Sequence, residues 1–127
     1  ISIAHGGLAL DFGDLTAATG YTQAQASPTR AVFARAGQGI NYINFTTGGK
    51  TQVFGDMRGD SRTGHIASCS NQTRGIMAGG EAPSRVNTIT FITLATLGNP
   101  QDFGGASGNR IGMMHIETDT GDIYIWS

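Results

Sequence analysis

Carboxylates at short spacing are the residues of this chain that could do chemistry by themselves. Two acidic side chains flanking a sugar linkage can hydrolyse a glycosidic bond. Asp side chains also accept hydrogen bonds from nearby backbone in turns, and Asp14 and Asp56 recur at one position of an internal repeat. The recurrence favours turns, so we predict no catalytic residue and no enzymatic activity. The acidic pairs considered are Asp11 and Asp14, Asp56 and Asp60, and Asp119 and Asp122.

Other catalytic and metal-binding signatures are missing from the sequence. His5, His65 and His115 are not spaced as metal ligands on one element, and Cys69 is the single cysteine. No nucleophile-elbow motif is present, and the glycine-rich segment 104–110 lacks the Gly-Lys-Ser/Thr ending of a phosphate-binding loop. We therefore predict no metal and no cofactor.

Recurrent arginines and a few aromatic residues are the candidates for a binding surface. An arginine at a repeated position either ties adjacent strands through several hydrogen bonds or joins a row of sugar or anion contacts, and we favour the structural role. Aromatic side chains can stack on a sugar ring, but on a strand they more often pack against neighbours. The candidate binding residues are Arg30, Arg74, Arg110, Tyr21, Tyr124 and Trp126.

An internal repeat organises the chain around these residues. One phrase begins at Ile1, Ile43 and Ile92, at steps of 42 and 49 residues. Each copy has Ile at its first position, an apolar residue at its third, and Phe-Gly at its twelfth and thirteenth. The longer step holds five extra residues around Pro83, which suits a loop. A period of this size predicts a repeat architecture, which builds surfaces more often than pockets.

The local sequence predicts strands. Residues 40–45 and 89–94 are β-branched and aromatic runs, apolar on both strand faces, so both faces should be covered. Turns between them are supplied from 20 glycines among 127 residues. We predict an all-β fold of short antiparallel strands with little or no helix, arranged as propeller-like blades or as a trimeric β-fibre. We divide it into a repeat region, 1–107, and a C-terminal hairpin element, 108–127, with a turn at 119–122.

Composition excludes two classes of partner. Charged residues make up 13% of the chain and the net charge is −1, whereas a nucleic-acid binder shows a basic excess or stripe. No run of 18 apolar residues is present, so we predict no membrane insertion.

Several segments of the chain resemble elements of tailed-bacteriophage virion proteins. Residues 11–16, 73–80 and 87–96 resemble a Kelch-like repeat found in many copies in large structural and fibre proteins of cyanophages and other aquatic phages. Residues 117–126 are similar to a second element of tail-fibre and head-fibre proteins. The first repeat departs from the pattern at Ala31 and Arg35, where Gly is usual, and the third repeat is curtailed.

The resemblance implies a non-enzymatic virion structural protein, located in the virion, that acts in a tail or head fibre through assembly and host attachment. Its expected partners are further copies of the chain, with a homotrimer favoured, other virion proteins, and a host surface glycan as a candidate. Because two full periods do not complete a propeller, we expect either a fragment or copies that assemble about an axis. Two alternatives stay open: a lectin-like carbohydrate-binding module and a polysaccharide depolymerase.

Overall fold

The computed structural model describes residues 4–18, 20, 22–35, 38–57, 62, 64–81, 83–110, 113–116 and 123–126. Within these residues the fold is all-β and contains no helix. Side chains are described for all of them except residues 35, 109, 110, 113–116 and 123–126. The strands are β1 (Thr22–Ala26), β2 (Arg30–Arg35), β3 (Gly39–Asn44), β4 (Gln52–Asp56), β5 (Ala67–Ser70), β6 (Arg74–Ala78), β7 (Val86–Thr93), β8 (Gln101–Arg110), β9 (Met113–Ile116) and β10 (Ile123–Trp126).

The strands form two four-stranded antiparallel sheets, each with its strands in sequence order. The first sheet is β1-β2-β3-β4 and the second is β5-β6-β7-β8. Each sheet corresponds to one period of the repeat, since β2 and β6 begin at the recurrent arginines. The five extra residues lie between β6 and β7, as predicted for a loop. The predicted all-β class with short antiparallel strands is therefore confirmed.

The hydrophobic core lies between the two sheets. Side chains from both sheets form one cluster, and burying apolar surface in this way is the main driving force for folding. Tyr42 packs against the edge of the cluster. The cluster consists of Val32, Ala34, Ile40, Phe54, Met57, Ile66, Met77, Ile92 and Leu94.

A β-bulge places the Phe of the second and third Phe-Gly pairs, which lie in β4 and β8. In the first sheet Ile40 pairs with Gly55, but Asn41 pairs with Val53, so Phe54 is the extra residue. In the second sheet the same shift, between Ile89 and Thr90, leaves Phe103 as the extra residue of β8. A bulge bends its strand and redirects a side chain. The Phe-Gly pair therefore marks the point where the last strand of each sheet turns.

The C-terminal strands form a separate pair. β9 and β10 are antiparallel, with Ile123 opposite Ile116 and Trp126 opposite Met113. β9 lies near β5, the first strand of the second sheet. The predicted turn at 119–122 lies outside the described residues, and the 107/108 boundary that we set from the sequence falls within β8.

Candidate functional site

The repeated phrase makes the same backbone contact each time it meets its successor. The amide of Gly49 donates to the carbonyl of Phe12 at 2.9 Å, and the amide of Gly98 donates to the carbonyl of Phe54 at 2.9 Å. In both cases the seventh residue of one phrase binds the twelfth residue of the phrase before it. We call this contact the Phe-Gly junction.

The glycine that follows the Phe is required by close backbone approach. A Cβ atom on Gly13 would overlap the carbonyl oxygen of Gly49, and one on Gly55 would overlap that of Gly98. Only a residue without a side chain lets the next phrase come so close. The recurrence of Phe-Gly in the sequence is thus explained by packing between repeats.

Polar groups around the junctions are taken up by structural hydrogen bonds. The amide of Thr51 donates to the carbonyl of Asp14 at 2.9 Å, which ties the first phrase to the first sheet. The amide of Asp56 donates to Oδ1 of Asn99 at 2.9 Å, which ties the first sheet to the second. These bonds satisfy backbone groups that the ends of the strands leave unpaired.

The recurrent arginines have different surroundings in the two sheets. The guanidinium of Arg30 lies over the ring of Tyr42 and donates from Nη1 to the carbonyl oxygens of Leu94 at 3.0 Å and Ala95 at 3.4 Å. Arg30 thus reaches from the first sheet to the end of β7 in the second, the structural role that we favoured. The guanidinium of Arg74 lies 4.8 Å from the ring centre of Phe91 and donates no hydrogen bond within the described residues.

The first strands of the two sheets are also joined. Oγ of Ser70 donates to the carbonyl of Ala26 at 3.0 Å and accepts from its amide at 3.1 Å. The side chain of Gln25 lies over Gly75, where a Cβ atom would overlap it. A side chain at position 75 would therefore require the Gln25 side chain to move. At the matching position of the first sheet the chain has Ala31, one of its departures from the repeat pattern.

Arg62 has a structural role that was not predicted from the sequence. Arg62 is 1% exposed, and its guanidinium donates to the carbonyl of Gly79 at 3.1 Å and to Oγ1 of Thr90 at 2.8 Å. A buried charge must be hydrogen-bonded, so Arg62 holds the second sheet together at one end. Position 62 lies outside the repeated segments, and no local pattern marks it.

Two clefts lie beside the junctions. A polar cleft of about 460 Å³ lies where the three phrases meet. An apolar groove of about 950 Å³ runs along the first phrase. The polar cleft includes Thr16, Gln38, Asn41, Asp56 and Asn99 in its lining, and the apolar groove is lined by Gly6, Gly7, Leu8, Leu10, Asp11, Phe12 and Phe45.

Two of the described carboxylates serve turns, whereas Asp56, for which a turn was predicted, is the last residue of β4. Oδ1 of Asp11 accepts the amide of Gly13 at 3.0 Å, and Oδ1 of Asp102 accepts the amide of Gly104 at 3.2 Å. Both Asp residues occupy the eleventh position of the phrase, where the middle copy has Val53, so the first and third copies share this turn. Of the other acidic candidates, Asp60, Asp119 and Asp122 lie outside the described residues.

The remaining binding candidates are placed only in part. Tyr21 lies outside the described residues. The backbone of Arg110 pairs with Val86 at the end of β8, and Tyr124 and Trp126 are in β10. The side chains of these three residues are not described, so their role in binding stays a prediction.

Cys69 is a weakly reactive thiol in the second sheet. It lies half-buried in β5 as a free cysteine, and burial raises its pKa to about 11. Because the thiolate is the nucleophile and the metal ligand, a raised pKa lowers the reactivity of this thiol near neutral pH. The described residues contain no group of three or more His, Cys, Asp or Glu that could hold a metal ion. They also contain no helix long and apolar enough to span a membrane.

Comparison with known proteins leaves the resemblance as a prediction. No family model, no curated protein sequence and no solved structure matches the chain. The site is therefore defined by its own geometry, which is a series of contacts between successive repeats.

Proposed function

We propose that this protein is a non-enzymatic structural protein of a bacteriophage virion, a tail-fibre or head-fibre component that acts through assembly and host attachment. The observation that carries the proposal is the Phe-Gly junction, because the backbone of the recurring Phe-Gly pair and the side chain of Arg30 join one repeat to the next. Residues that recur because they pack one repeat against the next are typical of extended repeat scaffolds. The similarity of residues 73–80 and 117–126 to phage structural elements supports the same role.

The assembled form that we propose is built from β-sheets stacked face to face, either as propeller-like blades or as a homotrimeric fibre. Support comes from apolar side chains left exposed on the sheets, such as Val53 in β4 and Phe103 in β8, which assembly would cover. Uncovered sheets otherwise invite aggregation.

Mass spectrometry of purified particles tests the virion role. Tailed-phage particles are purified on a density gradient from the lysate of an infected culture that carries the coding sequence of this chain. The particles and the lysate are digested with trypsin, and their peptides are compared. We expect peptides of this chain to co-purify with the capsid and tail proteins. Peptides found in the lysate but missing from intact particles would contradict the proposal.

A carbohydrate-binding module is the second candidate, and the polar cleft is the observation that favours it. Amide, hydroxyl and carboxylate groups line a space of about 460 Å³, which suits one or two sugar rings. The residues to test are Gln38 and Asp56. A glycan array probed with the chain and with Gln38→Ala and Asp56→Asn should show binding that both variants lose. Equal binding by the variants would exclude this cleft as the sugar site.

A further inference from the structure

The second sheet carries one half of a Phe-Gly junction that nothing in the described part of the chain fills. Phe103 is 47% exposed, and no described atom lies within 4 Å of the place where a Cβ atom on Gly104 would stand. Gly104 has φ of 135°, close to the 142° of Gly13, whose junction is filled. Each glycine amide also donates to the Asp two residues before it. The empty half thus has the backbone conformation of the filled half at Gly13, although Gly55 in the first sheet does not have positive φ.

Arg74 adds a second unfilled group on the same sheet. In the filled junction between the sheets, the equivalent Arg30 donates to the carbonyl oxygens at the third and fourth positions of the next phrase, which are those of Leu94 and Ala95. Arg74 has the same position over an aromatic ring but donates no hydrogen bond within the described residues. Within the described residues, the guanidinium of Arg74 and the bulged Phe103-Gly104 pair therefore lack the contacts that a further phrase would supply.

The complementary half is present at the other end of the chain. The turn at Gly6 and Gly7 has φ values of 64° and 105°, and the turn at Gly48 and Gly49, which does dock, has values of 58° and 86°. A Cβ atom on Gly48 would stand 3.3 Å from the carbonyl oxygen of Phe12, whereas no described atom lies within 4 Å of one on the equivalent Gly6. Leu8, in the apolar groove beside this turn, is 91% exposed.

We propose that a second copy of this chain docks head to tail on the first, with its Gly6–Gly7 turn seated on Phe103 and Gly104. In this contact the amide of Gly7 donates to the carbonyl of Phe103, and Arg74 donates to the carbonyl of Ala4, the equivalent of Ala95. The two halves differ, so the contact is heterologous: it either closes into a ring or extends into a filament. The contact follows from the junctions alone and does not depend on a virion role.

Light scattering after size-exclusion chromatography tests the contact with two complementary blocks. We expect the unmodified chain to exceed its monomer mass of 13.2 kDa. Gly104→Val blocks one half of the contact, and Gly6→Val blocks the other, because a Cβ atom on its equivalent Gly48 would stand 3.3 Å from the carbonyl oxygen of Phe12. Each variant alone should therefore be a monomer. An equimolar mixture has one intact half from each variant and should form a dimer and nothing larger. Far-UV circular dichroism checks that both variants are folded.

Gly108→Val is the matched control for backbone strain. Gly108 lies in β8 with φ of 128° and no described atom within 4 Å of its Cβ position, so its substitution strains the same strand without touching the contact. This variant should keep the mass of the unmodified chain, and Arg74→Gln should lower the association constant. A monomeric unmodified chain would overturn the proposal, as would a variant mixture that stays monomeric. A trimer whose mass survives Gly104→Val would overturn it too and would indicate packing about a central axis.

Discussion

The two sheets have the same strand order and the same bulge, but equivalent side chains in them differ in exposure. Phe54 in the first sheet is 3% exposed, whereas Phe103 at the same position of the second is 47% exposed. At the third position of the phrase the second sheet has the buried side chain and the first sheet the exposed one. Leu94 is fully buried, whereas its equivalent Phe45 is 44% exposed. The interface between the sheets is complete, and each outer face presents one half of it.

The comparison shows that one motif has a different energetic role at each place. A residue of the repeat stabilises the fold only where a neighbouring repeat supplies its partner, as in one-dimensional repeat arrays. Where the partner is missing, the same residue is an exposed group available for association. Paired substitutions at equivalent positions separate these roles.

Phe54→Ala against Phe103→Ala should give the largest difference. Removing a buried aromatic side chain leaves a cavity, so Phe54→Ala should lower the free energy of unfolding by about 3–5 kcal/mol. Phe103→Ala removes a half-exposed side chain and should cost under about 1 kcal/mol. Urea unfolding followed by fluorescence in dilute solution measures both. Equal losses would show that the second sheet is covered in the monomer.

Gly55→Ala should give the next largest effect. The new Cβ atom would overlap the carbonyl oxygen of Gly98, and relief of such overpacking costs about 1–3 kcal/mol or more. Gly39→Ala is the control, because its Cβ atom would stand 3.7 Å from the nearest atom, an ordinary contact. The control should be neutral or stabilising by up to about 1 kcal/mol. Thermal melts measure the stability of both variants. An unchanged melting temperature for Gly55→Ala would contradict the close approach of the Gly98 carbonyl oxygen to Gly55.

Arg30→Gln against Arg74→Gln isolates the hydrogen bonds between the sheets. Both arginines lie over an aromatic ring, at 4.6 and 4.8 Å, so the loss of that contact cancels in the difference. Arg30 alone donates to two backbone carbonyls, and we expect its substitution to cost about 1 kcal/mol more than that of Arg74. Chemical denaturation of the two variants side by side gives the difference. If Arg74→Gln were the more destabilising, Arg74 would have a partner in the monomer.

Alkylation of Cys69 should give the smallest effect. Its pKa is raised from 9.0 to about 11, so its reaction with iodoacetamide should keep accelerating above pH 9, where an ordinary thiol levels off. The folded state holds this proton more tightly than the unfolded state does. Its contribution to stability is therefore complete below pH 9 and is lost as the pH rises towards 11. A reaction rate that levels off near pH 9 would show a fully exposed thiol.

Much of the fold could be predicted from single residues and their spacing. The strands at 40–45 and 89–94 follow from β-branched and aromatic residues, and the loop at 81–85 follows from an insertion with Pro. A turn role was predicted for Asp14 and Asp56, and the structure shows such a turn at Asp11, whose side chain accepts the amide two residues on. These features depend on neighbours along the chain, which the sequence displays directly.

The candidate site could be predicted only in part. The recurrence of arginine suggested a structural role, but the partners of Arg30 are carbonyl groups at 94 and 95, far along the chain. Arg62 was missed because it belongs to no repeated or periodic segment. A hydrogen bond to a backbone carbonyl does not restrict the residue type of the acceptor, since every residue has a carbonyl group.

By itself the sequence determined the repeat, the all-β class, the turns and the positions of Phe-Gly. Only the tertiary structure decided that Phe-Gly is a bulge on which the next phrase sits, and that Phe54 is buried while Phe103 is exposed. The physical reason is the distance along the chain over which each interaction acts. Turn and strand preferences arise from steric and hydrogen-bonding effects within a few residues, whereas burial depends on which distant repeat packs against each face.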